Sequence, residues 1–176
     1  IGSFYQPDLI ISNTSFLNSL PNREIICGYA EILKHAMIMD KKFFSWLIKN
    51  GLNLIKQKNH KFLTYAIYKS CKIKSAIVKK DEKEKNLRMK LNFGHTFGHA
   101  FEATNKFSKS LNHGEAVLLG MIIACQFAFE KKILPISDFV KIKKHFLDLN
   151  LPINLKKHFE KKNVRNIIKF MRCSST

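Results

Sequence analysis

At 176 residues, with 45% hydrophobic side chains and 15 Phe, the chain is too apolar to be intrinsically disordered and long enough for one sizeable core. Its formal charge of +18 attracts anions, yet no five like charges stand in a row. That argues against a basic tail and for charge spread over a folded surface, and the four widely spaced cysteines exclude a CxxC zinc or redox motif.

The chain opens at Ile1, without Met, on IGSFYQPDLIISN, which reads as the middle of a longer protein. Leu9-Ile10-Ile11 is a short strand-like run, and residues 1–13 are expected to be an inter-domain lead-in. Asn13 or Thr14 should cap a short helix reaching Leu20; Pro21 stops it and Asn22 can cap the next. Residues 22–40 carry apolar side chains at helical spacing, with Glu31 and Lys34 adjacent on one face. Residues 42–49 continue as a helix that Gly51 should end. Residues 62–80 form a long helix in which Lys74 interrupts the apolar stripe; in isolation that suits a lysine snorkelling at its edge.

Residues 81–88 are polar and irregular, and LNFGHTFGHAFE follows. His95 and His99 are four residues apart, so both imidazoles point from one helix face. Gly94 and Gly98 each weaken a helix by about 1 kcal/mol relative to Ala, so the close approach of a backbone or ligand is their expected reason. After a polar loop, His113 opens the most apolar helix, residues 116–129, as a cap or as a ligand at the helix mouth. That run is shorter than the ~20 residues needed to span a bilayer. Ser137 and Asp138 start an amphipathic helix, and residues 155–171 offer two more short ones. The covered chain should be all-α, with residues 14–176 as one helical domain. Three cysteines fall inside helical apolar patterns, as reduced, buried thiols of a cytoplasmic protein would.

Polar groups recur where core is expected: Glu31, Lys34, Lys74, Arg88, Asn92, His95, His99 and His113. One carboxylate with two or three imidazoles can bind a divalent metal and leave a position open. The cations beside it suit an anionic substrate. Together they suggest Lewis-acid chemistry on a hydroxyl or carbonyl of a phosphorylated or carboxylated small molecule. Spacing alone makes both His95 and His99 ligands.

Three blocks, REIICGYAEILKHAMI, DEKEKNLRMKLNFGHTFGHAFE and HGEAVLLGM, closely resemble the 3-dehydroquinate synthases, and the opening IGSFYQPDLIIS is similar to the segment linking their two domains. The resemblance runs from Ile1 to about Met121 and more weakly to the end. It implies the α-helical C-terminal domain of a two-domain enzyme whose N-terminal domain binds NAD. Glu31, His95 and His113 look like the zinc ligands, with cobalt as a substitute metal. Lys34 and His99 look like catalytic groups, and Lys74, Arg88 and Asn92 like substrate contacts. Lys161 or Lys162 resembles a further phosphate-contacting lysine, although Glu160 stands where the family usually has Asp. Asn86 stands where Gly is usual.

The family's reaction, a phosphate-eliminating lyase step of the shikimate route to aromatic amino acids, turns 3-deoxy-D-arabino-heptulosonate 7-phosphate into 3-dehydroquinate. The resemblance also implies a cytoplasmic homodimer for the full-length enzyme, acting on a phosphorylated small molecule with neither nucleic acid nor membrane as partner. The helical part alone should be inactive. The rivals are a cyclitol-forming sugar-phosphate cyclase, a metal-dependent polyol dehydrogenase, a basic nucleic-acid-binding module and a non-catalytic helical domain. A polyol dehydrogenase has no use for Lys74, Arg88 and Asn92 around one anion. A nucleic-acid module should gather its basic residues on one exposed helix.

Overall fold

A computed structural model describes residues 8–173, and every regular element among them is helical. Seven α-helices follow in order: α1 (Asn22–Met39), α2 (Lys41–Ile55), α3 (His60–Lys80), α4 (His95–Thr104), α5 (His113–Glu130), α6 (Ile136–Asp148) and α7 (Val164–Cys173). Short 3-10 turns cover Thr14–Ser19, Arg88–Asn92, Leu155–Lys157 and Lys161–Asn163. The expected all-α class therefore holds.

Local chemistry accounts for most boundaries. Asn13 accepts from Ser15 N at the first 3-10 turn, Asp40 from Phe43 N at the start of α2, and Asn59 from Lys61 N and Phe62 N at the start of α3. Asn112 and Glu115 form a reciprocal capping box on α5. Hence Asn112 is the cap there and His113 is not, which frees its imidazole. Asn22 is likewise the first helical residue of α1 rather than its cap, with Pro21 before it.

Three expectations are corrected. Leu9, Ile10 and Ile11 form no strand and are 75%, 76% and 82% exposed, because no second strand among the described residues pairs with them. The lead-in's first seven residues lie outside the described part. α2 runs through Gly51 to Ile55, since the missing side chain admits Leu149 of the α6 end; a Cβ there would stand 2.7 Å from Leu149 Cδ1. Cys71 is exposed, whereas Cys125 is buried and Cys27 half-buried; all three are free thiols.

α5 is the central helix. It packs on α1, α4 and α6, and its buried residues run almost without a break from Gly114 to Ile122, as the enclosed half of a central helix requires. On one side Val117, Leu118 and Met121 join Leu33, Phe43 and Phe146 in the main core. On the other, Ala116 and Leu119 meet Phe101 and Leu111, with Phe159 and Ile167 packed over them. By length and composition α5 could cross a membrane, but half of it is buried inside this core.

The α4–α5 contact depends on backbone touching backbone. Gly94 takes φ +81°, a left-handed conformation that turns the chain into α4. Its carbonyl then lies against Gly120, where no Cβ could fit, and Gly98 faces the Ala116 backbone. The two glycines beside the histidines thus serve the approach of a neighbouring helix.

A buried pair ties α1 to α6: Tyr29 Oη lies 2.7 Å from His145 Nε2. Burial pushes the tyrosine hydroxyl up, so it stays protonated and suits the donor role. Burial also pulls the His145 imidazole down from 6.5 to about 4, a nearby Asp148 opposing weakly. The unfolded chain therefore takes up this proton first as pH falls. Stability should be complete above about pH 6.5, decline toward pH 4 and level off below, with about 3 kcal/mol at stake. Urea titrations at pH 7 and pH 4.5 check this. The chain should lose clearly more stability than His145→Gln, and parallel losses in the two proteins would remove His145 as the source.

Candidate metal centre

Three elements converge at one end of α5. α1 brings Glu31 and Lys34, the first two turns of α4 bring His95 and His99, and the first residue of α5 is His113. One ligand atom from each of Glu31, His95 and His113 lies within 4.8 Å of the others. His95 Nε2 stands 3.6 Å from Glu31 Oε1, and the His95 ring centroid is 5.3 Å from those of both His99 and His113.

The electrostatics suit a cation. Glu31 Oε1 is buried and has no hydrogen-bond partner, while Oε2 accepts from Lys34 Nζ at 2.7 Å. Burial pushes the Glu31 carboxyl up, but the Lys34 hydrogen bond and charge outweigh it and hold it below the usual range. Burial, and then the Lys34 charge, lowers the His95 pKa, keeping the imidazole in the neutral form that a metal requires. Burial lowers Lys34 as well, against the opposing pull of Glu31. An unpaired buried carboxylate oxygen aimed at an unprotonated imidazole is costly unless a positive charge joins them. A carboxylate and two imidazoles also match the donor set of catalytic zinc, with a fourth position left over.

Two further contacts hold the scaffold of this cluster. Gly114 N donates to Cys27 Sγ at 3.0 Å, joining α5 to α1 beside His113. Arg23 of α1 grips Glu115 with Nε at 2.7 Å and Nη2 at 2.5 Å, and donates to the carbonyls of Lys109 and Ser110. Glu115 in turn completes the α5 cap.

The other expected residues fall into two groups. Lys74 is exposed on α3, close enough that its charge depresses Lys34 and His35. Arg88 and Asn92 meet at one carboxylate: Arg88 Nε lies 3.6 Å from Glu84 Oε2, and Asn92 Nδ2 donates to Glu84 Oε1 at 3.1 Å. Asp81 anchors that turn by accepting from the backbone N–H groups of Lys85, Asn86 and Arg88, which holds its carboxyl down at about 2. Lys162 pairs with Glu160 at 2.8 Å on an open surface and Lys161 is exposed; among the described residues no hydrogen bond or ion pair joins either to the cluster. A cavity of about 240 Å³ opens beside Glu31 between α1 and α3, but its lining is mainly apolar and excludes Lys34, Lys74 and Arg88. It does not gather these cations.

Sequence reasoning missed two residues here. His35 is buried, bonds Ser70 Oγ through Nδ1 at 2.7 Å and is pulled down to about 4, chiefly by burial; nothing in its spacing separates it from an ordinary core position. Glu102 had a readable signal. It follows His95 and His99 on the same helical face, and its carboxylate reaches His113.

The family described as 3-dehydroquinate synthase C-terminal matches residues 28–173. The chain is 56% identical over 172 residues to the 3-dehydroquinate synthase of Pelagibacter ubique (strain HTCC1062), a match covering 98% of this chain and 46% of the relative. It is 41% identical over 155 residues to that of Rhodopseudomonas palustris (strain TIE-1), covering 88% and 40% respectively. The chain thus spans about half the length of the curated relatives it matches. In fold it is similar to ValA, the 2-epi-5-epi-valiolone synthase of Streptomyces hygroscopicus subsp. jinggangensis 5008, solved with NAD+ and Zn2+ bound. That match has a TM-score of 0.78 at 23% identity, over 91% of this chain and 44% of the other.

Proposed function

The chain belongs to the 3-dehydroquinate synthase C-terminal family, and from that footing we propose that it forms the metal- and substrate-binding half of a cytoplasmic 3-dehydroquinate synthase. The observation that carries this reading is the convergence of Glu31, His95 and His113 from three helices, with Lys34 bonded to the carboxylate oxygen facing away from His95. These residues would hold Zn2+, and NAD would be bound by the half of the enzyme that this chain does not span. The 56% identity to a relative named for this activity favours it over a cyclitol-forming cyclase, for which the support is a shared fold at 23% identity.

When bound, zinc would supply Lewis acidity toward a substrate hydroxyl, and NAD would supply hydride-transfer chemistry. The chain's own groups bind and orient. Lys34, buried and fixed by Glu31, presents its ammonium to substrate hydroxyls beside the metal ligands. Lys74 and Arg88 receive the substrate carboxylate, which replaces Glu84 at the Arg88 guanidinium. Asn92 and exposed His99 meet the phosphate, and His99 moves a proton there as phosphate departs. Lys161 or Lys162 adds a phosphate contact only if the α7 end moves inward, since both now face solvent.

Metal analysis of the purified chain tests the ligand set. One zinc per chain is expected in the parent protein and almost none in His113→Ala. Full zinc content in the variant would sink the assignment of His113, whatever its effect on activity.

A further inference from the structure

Glu102 takes no part in the metal or substrate set described so far. Its carboxylate is nonetheless 14% exposed on α4, with both oxygens 3.2 Å from Nδ1 of His113. The His113 side chain is 47% exposed at the start of α5, so packing alone leaves its ring free to turn. A neutral imidazole can also carry its proton on either nitrogen, and a metal needs one particular nitrogen bare. Something must settle both choices before the ion arrives.

Resting on the metal reading above, we propose that Glu102 is a positioning residue for the metal centre. Its carboxylate accepts a hydrogen bond from Nδ1–H of His113, which fixes the ring and leaves Nε2 as the ligand atom. The negative charge behind the ring also makes Nε2 a stronger donor to a cation. Glu102 is well placed for this because it shares the α4 face of His95: the helix that supplies one ligand orients another. Arg23, Glu115 and Asn112 tie down the first turn of α5 on either side of His113 in the chain, which leaves the ring as the part that Glu102 has to fix.

The same carboxylate could instead ligate a second ion, since ligand atoms of His99, Glu102 and His113 also lie within 4.8 Å of one another. The experiment separates the two uses. Nitrogen-15 NMR of the metal-free chain should find His113 protonated at Nδ1, and Glu102→Ala should move the proton to Nε2. Zinc affinity, read by competition with a coloured chelator, should fall about 10- to 100-fold in Glu102→Ala. Glu102→Gln, which keeps the shape and an acceptor oxygen, should fall between the two and serves if the alanine variant does not fold. An unchanged His113 tautomer, an unchanged zinc affinity or a stoichiometry of two zinc ions would overturn the proposal. Undiminished zinc binding in His113→Ala would show that the metal reading itself had failed and would take this proposal with it; loss of zinc in that variant alone would leave the metal reading standing and condemn only Glu102.

Discussion

Glu31→Gln is expected to abolish zinc retention by the chain and to lower turnover of the two-domain enzyme by about a thousandfold. The carboxylate is the one anionic member of the ligand set, and its buried Oε1 has no other partner. A carboxamide keeps the volume and can still accept from Lys34, so the fold should survive. What disappears is the negative charge that offsets a divalent ion. Lewis-acid stabilisation is worth several kcal/mol at the transition state, and about 4 kcal/mol corresponds to a factor of about a thousand. Zinc analysis and steady-state kinetics on the folded variant check the two halves separately. A variant that keeps one zinc would refute the ligand role of Glu31; one that loses zinc but keeps its rate would refute the role of the metal.

Gly120→Ala should be the most damaging single-methyl addition. The new Cβ would overlap the Gly94 carbonyl oxygen and stand 3.0 Å from Gly94 C. That oxygen is backbone and already accepts from Gly98 N at 2.9 Å, so it cannot move without shifting the start of α4. Alanine favours the helix by about 1 kcal/mol, but overpacking against backbone costs about 3 kcal/mol and should win. A fall of roughly 6 °C in Tm is expected from the net loss of about 2 kcal/mol. Because His95 is the residue after Gly94, zinc affinity should fall with stability. A variant as stable as the parent would mean that the helices can separate freely here.

Much of this was legible in the chain itself. Helical spacing in residues 22–40, 62–80 and 116–129 is a local signal, so α1, α3 and α5 emerge close to where the pattern places them; the Asn59 and Asn112 caps are local too, but the reading passed over Asn59 and looked to His113 instead of Asn112. The failures were non-local. Leu9-Ile10-Ile11 has strand composition, but a strand needs a neighbour that the described residues do not provide. Gly51 looks like a helix end, yet contact with Leu149, nearly a hundred residues away, keeps the helix going. Cys71 sits in an apolar pattern on a helix face that no other element among the described residues covers.

The candidate site divides the same way. The sequence by itself determined the helical class, the His95/His99 pair on one face, Glu31 beside Lys34 and, through three matching blocks, the family. Which imidazole joins which carboxylate was decided by tertiary structure. His95 turns to Glu31 while His113, from another helix, is held by Glu102. The physical reason is that helix periodicity fixes the direction of a side chain around its own axis, whereas the distance between two helices depends on what lies between them. Here that is the bare backbone of Gly94, Gly98 and Gly120, which lets α4 and α5 come close enough for ligand atoms far apart in the chain to lie within 4.8 Å of one another.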